Sequence, residues 1–411
     1  MRLQINYLSA PTPRRIVAWA VACFVGGVAL TACGTKQADL AKGESAGVGN
    51  RPAAESASAD SLVEGMQIFR FDTFGDEQFW TDTLRLHEVV EKSVDPTTAL
   101  KVGLKVDSDV LPAGILEKVD LKDPATTVAL LKMNAIVGLQ ASVDSNNHLT
   151  RLGITCALCH STVDNSVMPG IGRRKDGWPN RELNVGAIIA LSSAVTAKQK
   201  AVYNSWGPGK YDPRYNIDGK NTPLTIPPAY GLANVSNETY TAEGPLSYWN
   251  AYVAVTQMHG RGNFTDARLG IDIKQSPDMV TPKLAALRVY QHSLAAPAAP
   301  TGSFDAASAQ RGSALFTSSC ASCHVGVNGT DNNSGTLHAP AETGVSAAYA
   351  ARTANKRYRT TPLRALWQHA PYFHDGSVAT LADVVAQYNR VRALKLTAAQ
   401  QRDLVEFLKS L

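Results

Sequence analysis

Cys156-Ala157-Leu158-Cys159-His160, repeated as Cys320-Ala321-Ser322-Cys323-His324, decides how this chain is read. Two cysteines two residues apart, with histidine directly after, suit covalent haem attachment. Two thioethers pin the porphyrin edge, and the adjacent histidine gives the iron a fifth ligand. Cys156, Cys159, Cys320 and Cys323 are therefore the expected attachment points, and His160 and His324 the expected proximal ligands. One such motif also suits a redox dithiol. Two of them, in a chain with only Cys23 and Cys33 besides, point to two covalently bound haem c groups.

The N-terminus carries a second signal. Arg14 and Arg15 precede an apolar run from Ile16 to Leu30, which ends in Leu30-Thr31-Ala32-Cys33. A basic n-region, a short apolar stretch and small residues before a cleavage point describe a secretory leader. The tripeptide and cysteine resemble a bacterial lipoprotein signal over residues 1–32, with a diacylated Cys33 as the first mature residue. The alternative is a transmembrane anchor, for which the run is short, since a span wants ~20 apolar residues. Glycine follows Cys33, and no aspartate stands there to resemble an inner-membrane retention signal. The expectation is a periplasmic protein held by N-terminal lipid to the outer membrane. Export agrees with covalent haem attachment, which resembles a process completed outside the cytoplasmic membrane.

The formal charge is +5. Losing Arg2, Arg14 and Arg15 with the leader leaves 37 basic against 35 acidic residues. A near-neutral chain gives no case for a nucleic-acid partner. Residues 33–61 are rich in Ala, Ser, Gly and Glu, cannot offset their ordering entropy by burial, and read as a flexible tether. Folded sequence is expected from Val63-Glu64-Gly65-Met66 onward. Leu84, Leu86, Val89 and Val90 suit one face of a helix, and Val128 to Leu131 a short buried segment. Residues 178–250 are dense in Pro, Gly, Asn and Tyr, which predicts long irregular connections around a prosthetic group. Helices are expected at 185–190 and 246–255. Ala295 to Gly302 reads as a hinge-like linker between an N-terminal haem domain, 62–300, and a C-terminal one, 303–411. In the latter, Ala306 to Phe316 predicts an amphipathic helix, and Thr397 suits the N-cap of a last helix with Leu404, Phe407, Leu408 and Leu411 on one stripe.

Arg311-Gly312-Ser313-Ala314-Leu315-Phe316 resembles the first helix of small c-type cytochromes, with Gly312 allowing the last helix to cross closely. Thr361-Pro362-Leu363-Arg364-Ala365-Leu366 and Ala370-Pro371-Tyr372-Phe373-His374-Asp375-Gly376-Ser377 carry a wider likeness. With the two haem motifs, they resemble the bacterial di-haem cytochrome c peroxidase superfamily. That superfamily includes the di-haem enzyme of methylamine utilisation and, more distantly, di-haem rubber oxygenases. The likeness is specific over the last 110 residues and looser over 62–300. It implies a mainly α fold of two cytochrome c-like haem domains with long irregular loops. It also implies an electron-receiving C-terminal haem and an N-terminal haem that meets peroxide or oxygen.

The resemblance distributes further roles. In its peroxidases a methionine stands 14 residues beyond the histidine of Pro-Tyr-Phe-His-Asp-Gly. That position here is Tyr388, and the methylamine-utilisation enzyme has a tyrosine in the corresponding place. Tyr388 is the first candidate for the sixth ligand of the second haem, His374 the second, with His338 and His369 behind them. An oxygen ligand favours ferric iron over a soft thioether. For the first haem the distal candidates are Gln257, Met258, His259 and Arg261. A histidine or glutamine there suits proton transfer to peroxide, and an arginine suits developing negative charge. No histidine lies between His160 and His259, a departure from the peroxidases. Trp249, Trp178 and Trp367 are candidates for an inter-haem relay. Arg364 suits a haem propionate, Asn180 a propionate or a bound calcium, and Glu182 and Glu243 an acid partner.

Three functions follow from this reading. One is a peroxidase-like oxidoreductase taking electrons from a small periplasmic donor and reducing hydrogen peroxide or another small oxidant. The second is an oxidase or oxygenase of the same fold, acting on an organic or protein substrate. The third is a non-enzymatic electron carrier. The resembled peroxidases are commonly dimers, so a homodimer is open.

Overall fold

A computed structural model describes residues 58–411. The expected leader, Cys33 and most of the tether lie outside the described residues.

Ser58 opens the first helix, Ala59–Phe71, by accepting the Ser61 backbone N–H on its side chain at 3.1 Å. That cap places residues 59–61 inside the helix, so the tether ends before its expected boundary at 61. The helix buries Gly65, Ile68 and Phe69 against helix Leu284–Ser293. A Cβ on Gly65 would stand 2.1 Å from the Ala286 carbonyl oxygen, so only glycine lets the two backbones meet. Phe69 packs on Tyr290, ring centroids 5.5 Å apart.

The same construction recurs at the other end of the chain. Helix Ala306–Ser319 crosses the last helix, Ala398–Ser410. A Cβ on Gly312 would stand 2.1 Å from the Asp403 carbonyl oxygen. Phe316 packs on Phe407 with centroids 5.1 Å apart. Thr397 caps the last helix in a reciprocal box with Gln400. Each half thus carries a glycine and, four residues later, a phenylalanine where its first and last helices cross.

Between the crossings the fold is mainly α, with short irregular pieces. The hairpin Leu139–Val143 with Leu149–Ile154 runs directly into Cys156, and four further two-stranded ladders are present among the described residues. The expected helix at 185–190 is Val185–Ala190. The one at 246–255 is α-helical only over Leu246–Tyr252 and continues as a π-helical turn, Val253–Gln257. A second π-helical turn, Gln78–Thr83, precedes helix Leu86–Ser93. Such turns widen the helix and re-aim side chains, often at functional sites.

Residues 295–302 have no regular structure, but they do not swing free. The Leu294 carbonyl accepts from Gly231 N–H at 2.7 Å, and the described residues on both sides of the stretch belong to one compact unit. Buried ion pairs fasten the two halves. Arg352 reaches Asp212 at 2.9 Å and Asp218 at 2.8 Å, and Arg214 holds Glu243 and donates to the Arg352 carbonyl. Among the described residues no helix is long and apolar enough to cross a membrane.

Candidate haem-binding site

The first motif forms a single helical turn, Ala157–His160. His160 N–H donates to the Cys156 carbonyl at 3.1 Å, and its Nδ1 lies 3.0 Å from the Pro227 carbonyl oxygen. The second motif turns alike off the end of helix Ala306–Ser319. His324 N–H donates to the Cys320 carbonyl at 3.1 Å, and its Nδ1 lies 3.1 Å from the Gly329 carbonyl oxygen. A carbonyl only accepts, so Nδ1 carries the proton at both sites and Nε2 keeps its lone pair. This is how a protein presents imidazole to a metal. Burial pushes His160 down to about 4 and lowers His324, keeping both neutral.

The cysteines are free of disulfides. Burial pushes the Cys156 and Cys159 thiols up to about 12 and Cys320 to about 11. A redox dithiol works through a thiolate of lowered pKa, so these environments oppose that use. An uncharged thioether suits them.

Both motifs open into one mostly apolar cavity of about 570 Å³. Ile154, Val185, Ile188 and Val253 line its first end, and Leu363, Leu381, Val385 and Leu404 its second. The polar atoms left without partners on this wall include Nε and Nη1 of both Arg181 and Arg359, and Nε1 of Trp249. All are donors, so the occupant they await brings acceptors. A porphyrin bearing two carboxylates meets that demand, and the site fits haem. Those two arginines went unread in the sequence. Arg181 stands in the Pro179-to-Asn184 run weighed only for Asn180 and Glu182, and Arg359 lies just before the Thr361-to-Leu366 match.

The remaining candidates separate by position. Tyr388 lies on the cavity wall, where burial pushes its phenol up to about 12 with Cys320 and Cys323 nearby. His374 lies on the same wall, but its Nε2 is engaged by the Tyr358 hydroxyl at 3.0 Å. Tyr358 also bonds the Ser346 carbonyl at 2.8 Å and Ala350 N–H at 3.1 Å. One phenol proton serves these partners if it goes to Ser346 and His374 donates through Nε2. His338 has both ring nitrogens occupied, by Glu342 and Asp331 at 2.9 Å each. His369 Nε2 bonds the Tyr230 hydroxyl at 2.9 Å.

At the first end, Gln257, Met258 and Trp249 line the cavity. The π-helical turn carries Gln257, which accepts from the Tyr211 hydroxyl at 2.6 Å and donates to Asn216 at 3.1 Å. His259 stands off this wall. It takes a left-handed backbone at φ 65° and stacks on Phe79, ring centroids 3.6 Å apart. Burial there pushes it down to about 4. Arg261 likewise faces away, bonding the Ser276 carbonyl at 3.0 Å. Both positions follow from the widened turn, which ends at Gln257 and hands the next residues to the 74–80 segment. Trp80 Nε1 donates to the Met258 carbonyl at 3.1 Å, and Arg261 N–H to the Phe74 carbonyl at 2.8 Å.

Arg364 lines the cavity, but its guanidinium bonds the Gly231 carbonyl and Asn328. Trp178 and Trp367 pack on each other with centroids 5.8 Å apart. Asn180 Nδ2 donates to the Gly103 carbonyl at 2.8 Å, while its Oδ1 is buried without a partner. Glu182 pairs with Lys105, and Glu243 with Arg214.

Residues 309–411 match the family model for cytochrome c. No curated protein matches the chain significantly. Among solved structures, the chain is similar to a MauG-like protein associated with microbial copper homeostasis. Identity is 21%, covering 47% of this chain and 74% of that one, with a TM-score of 0.33. It is also similar to the hydrazine synthase of Kuenenia stuttgartiensis. There identity is 20%, covering 46% and 73%, with a TM-score of 0.31. Likenesses at these scores identify nothing on their own. The family match, which takes in Cys320, Cys323 and His324, identifies the last hundred or so residues as a cytochrome c domain with covalent haem c, and so a site of haem-based redox chemistry.

Proposed function

We propose that this chain is a di-haem c-type oxidoreductase of the bacterial di-haem peroxidase superfamily. Its partners would be a small periplasmic electron donor and hydrogen peroxide or another small oxidant, with Cys156, Cys159 and His160 holding the haem that would face the oxidant and Cys320, Cys323 and His324 the one that would face the donor. The observation that carries this reading is the single cavity into which both motifs present a histidine with a bonded Nδ1 and a free Nε2.

Haem, when bound, would supply one-electron chemistry toward a small oxidant. The chain's own residues do the rest. The apolar walls exclude water and so strengthen each local charge. Tyr388 is the sixth ligand we assign at the second site, because His374 is held by Tyr358. At the first site, the Tyr211–Gln257 pair faces the cavity. Gln257 uses its amide oxygen to orient the Tyr211 hydroxyl, a proton-bearing group on this wall. His259 takes no part in the chemistry.

A second reading, oxidation of an organic or protein substrate, is favoured by one observation. The peroxidase-type distal histidine has no counterpart on the first wall, where His259 is turned onto Phe79. Electron paramagnetic resonance on the oxidised and half-reduced protein, with peroxide added, tests the enzyme reading. A high-spin signal that peroxide consumes supports it. Two low-spin haems indifferent to peroxide leave the chain an electron carrier. The lipid anchor, the outer-membrane location and a homodimer belong to the same proposal, and bound calcium at Asn180 is a weaker part of it.

A further inference from the structure

We infer that Arg181 and Arg359 are the counter-ions of the haem carboxylates, one beside each motif, and that they hold the haem potentials up. This rests on the two-haem reading above.

Three observations meet here. First, the arginines are anomalous within this protein. Arg174, Arg214 and Arg352 are as deep, at 4%, 2% and 1% side-chain exposure, and each holds a carboxylate. Arg181 and Arg359 hold none, and Nε and Nη1 of each are buried without a partner. Arginine keeps its charge in proteins, and a buried charge left unpaired is strongly destabilising. Burial lowers Arg181 and pushes Arg359 down to about 10, outweighing the opposing charge of Glu238 near Arg359, whose oxygens are taken by His292 at 3.0 Å and Leu246 N–H at 2.8 Å.

Second, each arginine is tied to a different motif. Asn180 N–H donates to the Cys159 carbonyl at 2.9 Å, so Arg181 leaves the chain beside the first motif. Arg359 lies between Tyr358, bonded to His374, and Thr360, whose carbonyl accepts from Thr330 beyond the second motif at 2.7 Å. Third, both share the cavity wall with Tyr240, whose carbonyl accepts from Arg359 N–H at 2.9 Å. Tyr230 and Tyr372 flank Arg181 on the same wall.

The chemistry follows from the charges. Guanidinium and carboxylate pair in a planar fork. A cation near the iron disfavours the ferric form, so each arginine raises the potential. Without it, a carboxylate in an apolar cavity titrates at a higher pH, and the potential becomes pH-dependent.

The test is a spectroelectrochemical titration of the full two-haem protein across pH 5 to 9, after counting its haems. In R181Q and R359Q the ferric-to-ferrous ratio at fixed potential should rise about tenfold, a fall of about 59 mV for a one-electron couple. The fall should be pH-dependent, and each variant should most affect the haem beside its own motif. R151Q is the control, because Arg151 is half-exposed, pairs with Asp82 and lies off the cavity wall, and its potentials should not move. R181K and R359K keep the charge and should hold the wild-type potential and pH profile within about threefold in that ratio. They also carry the test if a glutamine variant does not accumulate. Unchanged potentials in the glutamine variants, an equal fall in lysine and glutamine variants, or an equal fall in R151Q would overturn the assignment. A wild-type chain with one haem would instead sink the two-haem reading, and one of the two pairings with it.

Discussion

At the scale of single residues, the histidines proposed as ligands differ from the other histidines of the cavity in what already holds them. His160 and His324 give Nδ1 to a backbone carbonyl and keep Nε2 free, whereas His338 has given away both nitrogens. The prediction at the second site is spectroscopic. Y388F should change the ligand signature of the second haem, while H374Q should leave that signature in place and lower stability through the lost Tyr358 bond. The reverse pattern in resonance or magnetic circular dichroism spectra would assign His374 instead. At the first site, H259F should keep peroxide consumption within a few-fold of wild type. A general acid–base would cost about 10²–10⁴-fold on removal, so a loss of that size would return His259 to the catalytic machinery. These distinctions were illegible in the sequence. Nothing in Gln257-Met258-His259-Gly260-Arg261 shows that a π-helical turn stops at Gln257, because one extra residue per turn is set by packing on Trp80 and Phe79. The motifs themselves were fully legible, since their chemistry is local in sequence.

At the scale of elements, the two helix crossings do the same work from similar letters. Gly65-Met66-Gln67-Ile68-Phe69 and Gly312-Ser313-Ala314-Leu315-Phe316 share glycine and a phenylalanine four residues on. The second was readable beside its haem motif. The first was not, because 84 residues stand between Phe71 and Cys156. G65A and G312A should each destabilise by about 1–3 kcal/mol, the usual range for overpacking, or more, since the clashing atom is a backbone oxygen that cannot rotate away. Thermal or denaturant unfolding checks this, and wild-type stability in both would contradict the close crossing. The helix Val185–Ala190 followed its apolar pattern. The ladders escaped notice because most are two or three residues long.

At the scale of the whole molecule, the two halves are a single body. The Ala/Pro stretch 295–302 reads as a hinge in sequence, but the bonds that oppose hinging are contributed by residues far apart in the chain, Asp212 and Asp218 to the Arg352 side chain and Arg214 to the Arg352 carbonyl. D212N leaves Arg352 short of a buried partner, and removing one member of such a pair costs about 3–5 kcal/mol. Its unfolding should split or begin at a lower temperature, with haem retained on both fragments after cleavage in the linker. An unchanged single transition would contradict the fastening. Acid should act in the same direction. His259 and His369, pushed down to about 4 and about 3 by burial, take protons more readily unfolded than folded. Their contribution is complete above the unfolded histidine value near 6.5 and is lost as pH falls through about 4, so stability should decline over that window.

The central proposal is a single cavity built around two covalent haems. Intact-mass spectrometry of the mature protein, paired with the C156S/C159S and C320S/C323S variants, tests it most directly. The account predicts a mass two haems above the polypeptide, and one haem remaining in each double variant. A wild-type mass showing one haem, or a first-motif variant that loses none, would contradict it.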